Sequence, residues 1–325
     1  MSNPLNFEYE VFKHYYHKGI FARSGIIIHL IDHLRENLQK ENRITQHQEI
    51  GLNDNEVVAF LQLAIIAHIM MFIEDLAVIC KSIKDGKIEY YNFLDKSADE
   101  DLGVFIRKFY DEMKTASNQD LSRILSFSDI DSFELFENKE EKETVARIIK
   151  QMLEKTRIFF NKIILFRENH IKLFRRYKHA GFPILLAQPI PSPSEYKNFD
   201  FVSLGLTSKG ALGKEFTAIP YSSQAIDSYE NLGKDIFAFF GTVITFKMLC
   251  YERSIDGLIP TTKSSFGLKL SDSEIAILDT IWKRIESKYP LQVEKTAQIR
   301  IESMMEFLNW YVDLDNNVKR VLDSK

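Results

Sequence analysis

Residues Val57 to Cys80 read VVAFLQLAIIAHIMMFIEDLAVIC, a stretch approaching the length of a bilayer span. A helix that is apolar on every side either crosses a membrane or lies at the centre of a packed domain. Gln62, His68, Glu74 and Asp75 interrupt the stretch and leave no continuous apolar run near 18 residues. An ionisable group at a bilayer centre costs about 2.5 to 3.5 kcal/mol on insertion scales. The expectation is therefore a central helix buried on most sides, with no membrane involved. Asn53 or Asp54 is placed to cap it, Glu56 falls in the first turn where the macrodipole favours an acid, and Asp85-Gly86 ends it.

The remaining texture is mostly helical. From Phe7 to Gln39, Ile20, Ile27, Leu30, Ile31, Leu34 and Leu38 share one face, with Gly19 and Gly25 expected to break or bend the segment. Ala98 to Thr115 forms a third helix, and Ser117 to Asn138 reads as a polar, turn-rich connection. From Lys139 to His179 there is neither proline nor glycine, and the spacing predicts one helix about 60 Å long. Gly181 to Tyr221 then holds five of the eight prolines, including PIPSPS, and short β-type runs at Phe182 to Ala187, Phe199 to Leu206 and Phe216 to Ile219. Helix resumes from Ser222 to Glu252. Ser271-Asp272-Ser273-Glu274 reads as a capping box opening a helix to Lys288, and a last helix runs from Val293 to Leu322.

The fold class so predicted is mainly α, a helical bundle with a small β hairpin or three-strand insertion between two long helices. Residues 1–255 form the core with the insertion at about 182–221, and residues 256–325 a C-terminal helical extension packed on it.

The long helix ends in FRENHIKLFRRYKHAG, residues Phe166 to Gly181. Between Asn161 and Ala180 six basic residues face one acid, Glu168, a local charge of +5 in a chain whose net charge is −4. Cations are favoured at a helix C-terminus, which accounts for Lys178 and His179. Helical phase divides the rest. Arg167 and His170 fall on the stripe of Met152, Ile163, Phe174 and Tyr177, whereas Glu168, Lys172, Arg175, Arg176 and His179 lie on the other side. A guanidinium on an inward stripe needs acceptors, so Asp75 or Glu74 of the central helix is the partner expected for Arg167, giving a buried polar cluster of Arg167, His170, Asp75 and Glu74.

RRYKHAG at the end of a long bundle helix, followed by a β hairpin, resembles the HEPN superfamily, the higher eukaryotes and prokaryotes nucleotide-binding domains. Many members are dimeric, metal-independent ribonucleases of toxin or antiviral systems, with a catalytic arginine and histidine that have four to six residues between them; others bind nucleotides or serve as non-catalytic partners. The resemblance implies RNA or nucleotide binding by Lys172, Arg175, Arg176 and Lys178. It also implies catalysis in which Arg175 or Arg176 stabilises a phosphorane while His179 moves protons. This chain departs from the family spacing, with three residues between Arg175 and His179 and two between Arg176 and His179. Arg23 to His29 has a gap of five, but the two project to different faces.

Two other classes of function stand beside this one. The Arg167, His170 and Asp75 group also suits a non-enzymatic helical scaffold or regulatory partner. His29 and His33, at i, i+4 with Asp32 or Glu36 nearby, suit a metal-dependent bundle hydrolase, although that pair lies opposite the apolar stripe and no third ligand has diagnostic spacing. Neither a cofactor fingerprint nor a P-loop occurs, so no cofactor and no metal are expected. The pI near 6.1 excludes a surface basic throughout. Cys80 and Cys250, far apart in apolar surroundings, make no disulfide framework, and MSNPLNFEYEVF has no secretory h-region; both point to a cytoplasmic protein. A homodimer is expected from the long helix and the family resemblance.

Overall fold

The computed structural model describes residues 21–39, 54–86, 99–178, 186–189, 201–208, 215–221, 223–261 and 268–291. They are mainly helical: α1 Phe21–Gln39, α2 Asp54–Asp85, α3 Asp99–Lys114, α4 Asn118–Ile124, α5 Lys139–Lys178, α6 Ser223–Arg253 and α7 Asp272–Lys288. Three short segments pair as an antiparallel ladder in the order β1 Leu186–Pro189, β2 Phe201–Ser208 and β3 Glu215–Tyr221. Leu186 sits opposite Leu204 and Val202 opposite Pro220, with an irregularity between Leu206 and Ser208. Pro189 and Pro220 fall on the outer strands, the places in a sheet where proline is tolerated. The expected start of the first helix at Phe7, the last helix from Val293 to Leu322, and His179 lie outside the described residues.

The described chain falls into two compact units. One is built from His17–Ile124 together with Leu153–Gly241, the other from Leu125–Met152 and the chain from Thr242 onward.

In the larger unit α2 is the centre. Ile65, Ile66, Ile69, Met70, Phe72, Ile73, Leu76, Val78 and Ile79 are completely buried, positions that cover most of the circumference of the helix and leave one half-exposed side with His68 and Asp75. Burying each large side chain fully contributes about 1.5 to 3 kcal/mol, so this helix alone supplies much of the driving force of its unit. By length and composition α2 is also apolar enough to cross a membrane, yet 72% of its most apolar window is buried inside the fold. Gly86, at φ +63°, takes the left-handed conformation that commonly follows a helix end.

Helix α1 turns Ile27, Ile31 and Leu34 inward, at i, i+4 and i+7. It runs through Gly25 without the expected break; a Cβ there would meet nothing, so the position is simply solvated. Helix α3 buries Ile106, Phe109, Tyr110 and Met113 and exposes Arg107, Lys108, Asp111 and Glu112. Rings then tie the elements together: Phe72 stacks on Phe240 at 5.2 Å, Phe159 on Phe239 at 4.5 Å, and Phe160 meets Phe109 edge-on at 6.0 Å.

One helix departs from the expectation of a polar connection. Ser117 caps α4 reciprocally: its hydroxyl accepts from the Asp120 amide at 3.1 Å, and its own amide donates to the Asp120 carboxylate at 3.1 Å. Aspartate here stands in for the usual glutamate, and the helix buries only Leu121 and Ile124.

In the smaller unit Val145, Ile148, Phe246, Leu258, Leu278, Ile281 and Ile285 are completely buried. The capping box read at Ser271 and Glu274 is present. Arg284 forks onto Glu141 at 2.7 and 2.8 Å, and also donates to the Leu135 carbonyl and Glu137. The indole of Trp282 donates to the Pro260 carbonyl at 3.0 Å. A parallel bridge joins Phe127 to Leu258, and a Cβ at Gly257 would come within 2.9 Å of the Ser128 amide nitrogen, so glycine is required by the close approach of two backbones.

Candidate functional site

The last turns of α5 carry the candidate residues, and their phase is as the periodicity predicts. Ile163, Leu173 and Phe174 are buried, Arg167 and His170 half-buried, and Glu168, Lys172 and Arg175 exposed. Arg176 lies on the helix, but its side chain, like the whole of His179, is outside the described residues. Lys178, named with Lys172, Arg175 and Arg176 as a binding residue, turns its ammonium toward Glu74, 3.5 Å away.

The inward cluster is built differently from the expectation. Asp75 pairs not with Arg167 but with Arg23 of α1, at 2.8 Å, in the manner of an ion pair rather than an aligned hydrogen bond. Arg167 places its guanidinium 5.6 Å from the centre of the Tyr110 ring and keeps Nε buried without a hydrogen-bond partner. It stays close enough to Glu74 for their charges to act on each other. Tyr110 in turn donates to the Ile73 carbonyl at 2.6 Å, which fixes its ring beside the acids. Arg23, Glu74, Asp75, Arg167 and Lys178 thus form one seam of alternating charge among α1, α2 and α5. His170, three residues and about 60° around the helix from Arg167, is not part of it and packs instead against Phe166 and Tyr229.

Arg23 went unassigned in the sequence, although a signal was there. It continues the buried stripe Ile27, Ile31, Leu34 one turn back, so an arginine at that phase must face an acid.

Burial sets the titration of these groups. It pushes the Asp75 carboxyl up to about 6, against the pull of Arg23, and raises Glu74 against the pull of Lys178. It lowers His170 to about 4 and lowers His68, in the second case with help from Arg23. Both imidazoles are therefore neutral at pH 7 and present one donor and one acceptor each. The acids of the seam are engaged by cations, so the seam holds charge in place. The open chemistry lies on the outer face, where Lys172 and Arg175 are paired with no carboxylate among the described residues.

Near α1, His29 is exposed and His33 lies 3.9 Å from Glu36. Among the described residues no group of three His, Cys, Asp or Glu side chains is disposed to hold a metal ion. Compared with protein-family models, curated proteins and solved structures, the chain has no match.

Proposed function

We propose that this protein binds RNA or a nucleotide through the outer face of the C-terminal half of α5, in the manner implied by its resemblance to HEPN proteins. The observation that carries this reading is the exposure of Lys172 and Arg175, neither of which is paired with a carboxylate among the described residues. Cations already neutralised by neighbours would release few counterions from a phosphate backbone; free ones bind it. Arg167, inward and short of acceptors, adds positive potential behind Arg175. Arg176 and His179 complete the face in this reading, with His179 as the proton-transfer group of a metal-independent ribonuclease. The antiparallel pairing of β1 to β3 between α5 and α6 supports a β insertion following the basic end, and the buried free thiols of Cys80 and Cys250 support a reducing, cytoplasmic setting. A homodimer belongs to the same proposal.

The test is fluorescence anisotropy with labelled single-stranded RNA across a salt series. Lys172→Glu with Arg175→Glu is expected to weaken binding at least about tenfold and to flatten the salt slope by about 1.4, since each single-strand phosphate contact contributes about 0.7. Equal affinity of wild type and double variant, or no binding at low salt, overturns the reading. RNA cleavage that persists in EDTA and disappears in His179→Ala is the expected result for the catalytic part.

A second reading, a non-enzymatic scaffold or regulatory partner, is favoured by the internal pairing of Asp75 with Arg23 and of Glu74 with Lys178, which spends the polar cluster on architecture. A partner that co-purifies at fixed stoichiometry, together with an absence of RNA binding, selects it.

A further inference from the structure

Beside the basic face, a cleft of about 680 Å³ opens between α5 and α6 inside the larger unit. Its α5 wall is Lys162, Leu165, Phe166, Asn169 and His170; Tyr229, Asn231 and Leu232 are among the residues of its α6 wall. Three rings meet in it. Phe166 lies 4.4 Å from His170 and 6.0 Å from Tyr229, the latter nearly perpendicular. Tyr229 is held from behind, where Gln62 donates to its hydroxyl at 3.4 Å, while Phe166 remains half-exposed. Leu165, on the lip, is 60% exposed.

The charges around the cleft are already matched. Lys162 faces Asp235 at 3.3 Å, and Asp227 takes a hydrogen bond from Arg35 at 2.7 Å. A phosphate has no unpaired cation here, whereas a flat, uncharged, hydrogen-bonding ring finds aromatic walls and the amides of Asn169 and Asn231 at the mouth. Nδ1 of His170 is buried with no hydrogen-bond partner, a polar atom that the cleft leaves unsatisfied.

Helix phase links the cleft to the basic face. Leu165, Asn169 and Lys172 stand at i, i+4 and i+7 on one side of α5, so the lip of the cleft continues toward Lys172 about 4.5 Å further along the axis. We infer that the cleft receives an unpaired nucleobase, stacked against Phe166, while the phosphate of the same strand lies along Lys172 and Arg175. This inference rests on the RNA-binding reading and narrows its ligand to single strands, because a base inside a duplex cannot enter.

Full-length protein is tested for binding to three labelled probes: a single-stranded RNA, its fully paired duplex, and an abasic phosphodiester strand of equal length. Asn231→Trp fills the mouth from an exposed position, and a circular dichroism melt confirms that the variant folds. Wild type is expected to bind the single strand about tenfold more tightly than the abasic strand, the scale of one aromatic–base stack. Asn231→Trp should erase that difference, whereas Lys172→Glu should weaken both strands while keeping it. Equal binding of single and abasic strands, or a base-dependent advantage that survives Asn231→Trp, overturns the cleft proposal and leaves the basic face standing. No binding of any probe overturns both.

Discussion

Asp75 is pulled in opposite directions by burial and by Arg23, and burial prevails, leaving a carboxyl that titrates near 6. An acid whose value is raised in the folded chain binds more protons folded than unfolded. Its contribution to stability is therefore full below about pH 4 and lost as the pH climbs through 6. Asparagine imitates the protonated form. Asp75→Asn should match wild type near pH 4 and exceed it by about 2 to 3 kcal/mol at pH 7, a gap read from thermal melts at several pH values. An equal or lower melting temperature at pH 7 would mean that the Arg23 pair outweighs the cost of burying the charge.

Arg23 also marks the limit of what could be read residue by residue. The phase of Arg167 and His170 followed from counting around α5, but the choice of Arg23 over Arg167 as partner of Asp75 depends on how three helices meet, which no periodicity contains. Tyr110 taking the Arg167 guanidinium on its ring is of the same kind.

Among the elements, α2, α5 and α7 were legible because each carries a strong signal: an unbroken apolar run, an absence of glycine and proline over forty positions, and a Ser-to-Glu capping box. Helix α4 was not, since seven residues with two buried side chains offer no period, and its Ser117–Asp120 cap uses the less common acid. In the smaller unit one side chain does the joining. Arg284 of α7 holds Glu141 in the first turn of α5, whose carboxylate it keeps below the usual range, together with the Glu137 carboxylate and the Leu135 carbonyl. Arg284→Met strands the nearly buried Glu141 charge and should cost about 3 kcal/mol in urea unfolding. Adding Glu141→Gln should restore part of the loss; strict additivity of the two changes would show that they do not interact.

At the scale of the whole molecule, each compact unit carries one free thiol, Cys80 in the larger and Cys250 in the smaller. Burial raises the first well above its ordinary range and the second to about 12. Neither should react with a thiol reagent in the native protein, and both should react in denaturant, with Cys80→Ser and Cys250→Ser variants assigning each signal. A native-state reaction at either position would reveal local opening of its unit.

The indole of Trp282, anchored to the Pro260 carbonyl, has a practical corollary. Residues 17 to 241 contain no tryptophan at all, so the α2-centred unit has no indole emission of its own. Tryptophan emission arises only from the chain beyond Thr242, and an indole installed at position 231 would give the α2-centred unit its own lamp, so that the melting of each unit could be followed by itself.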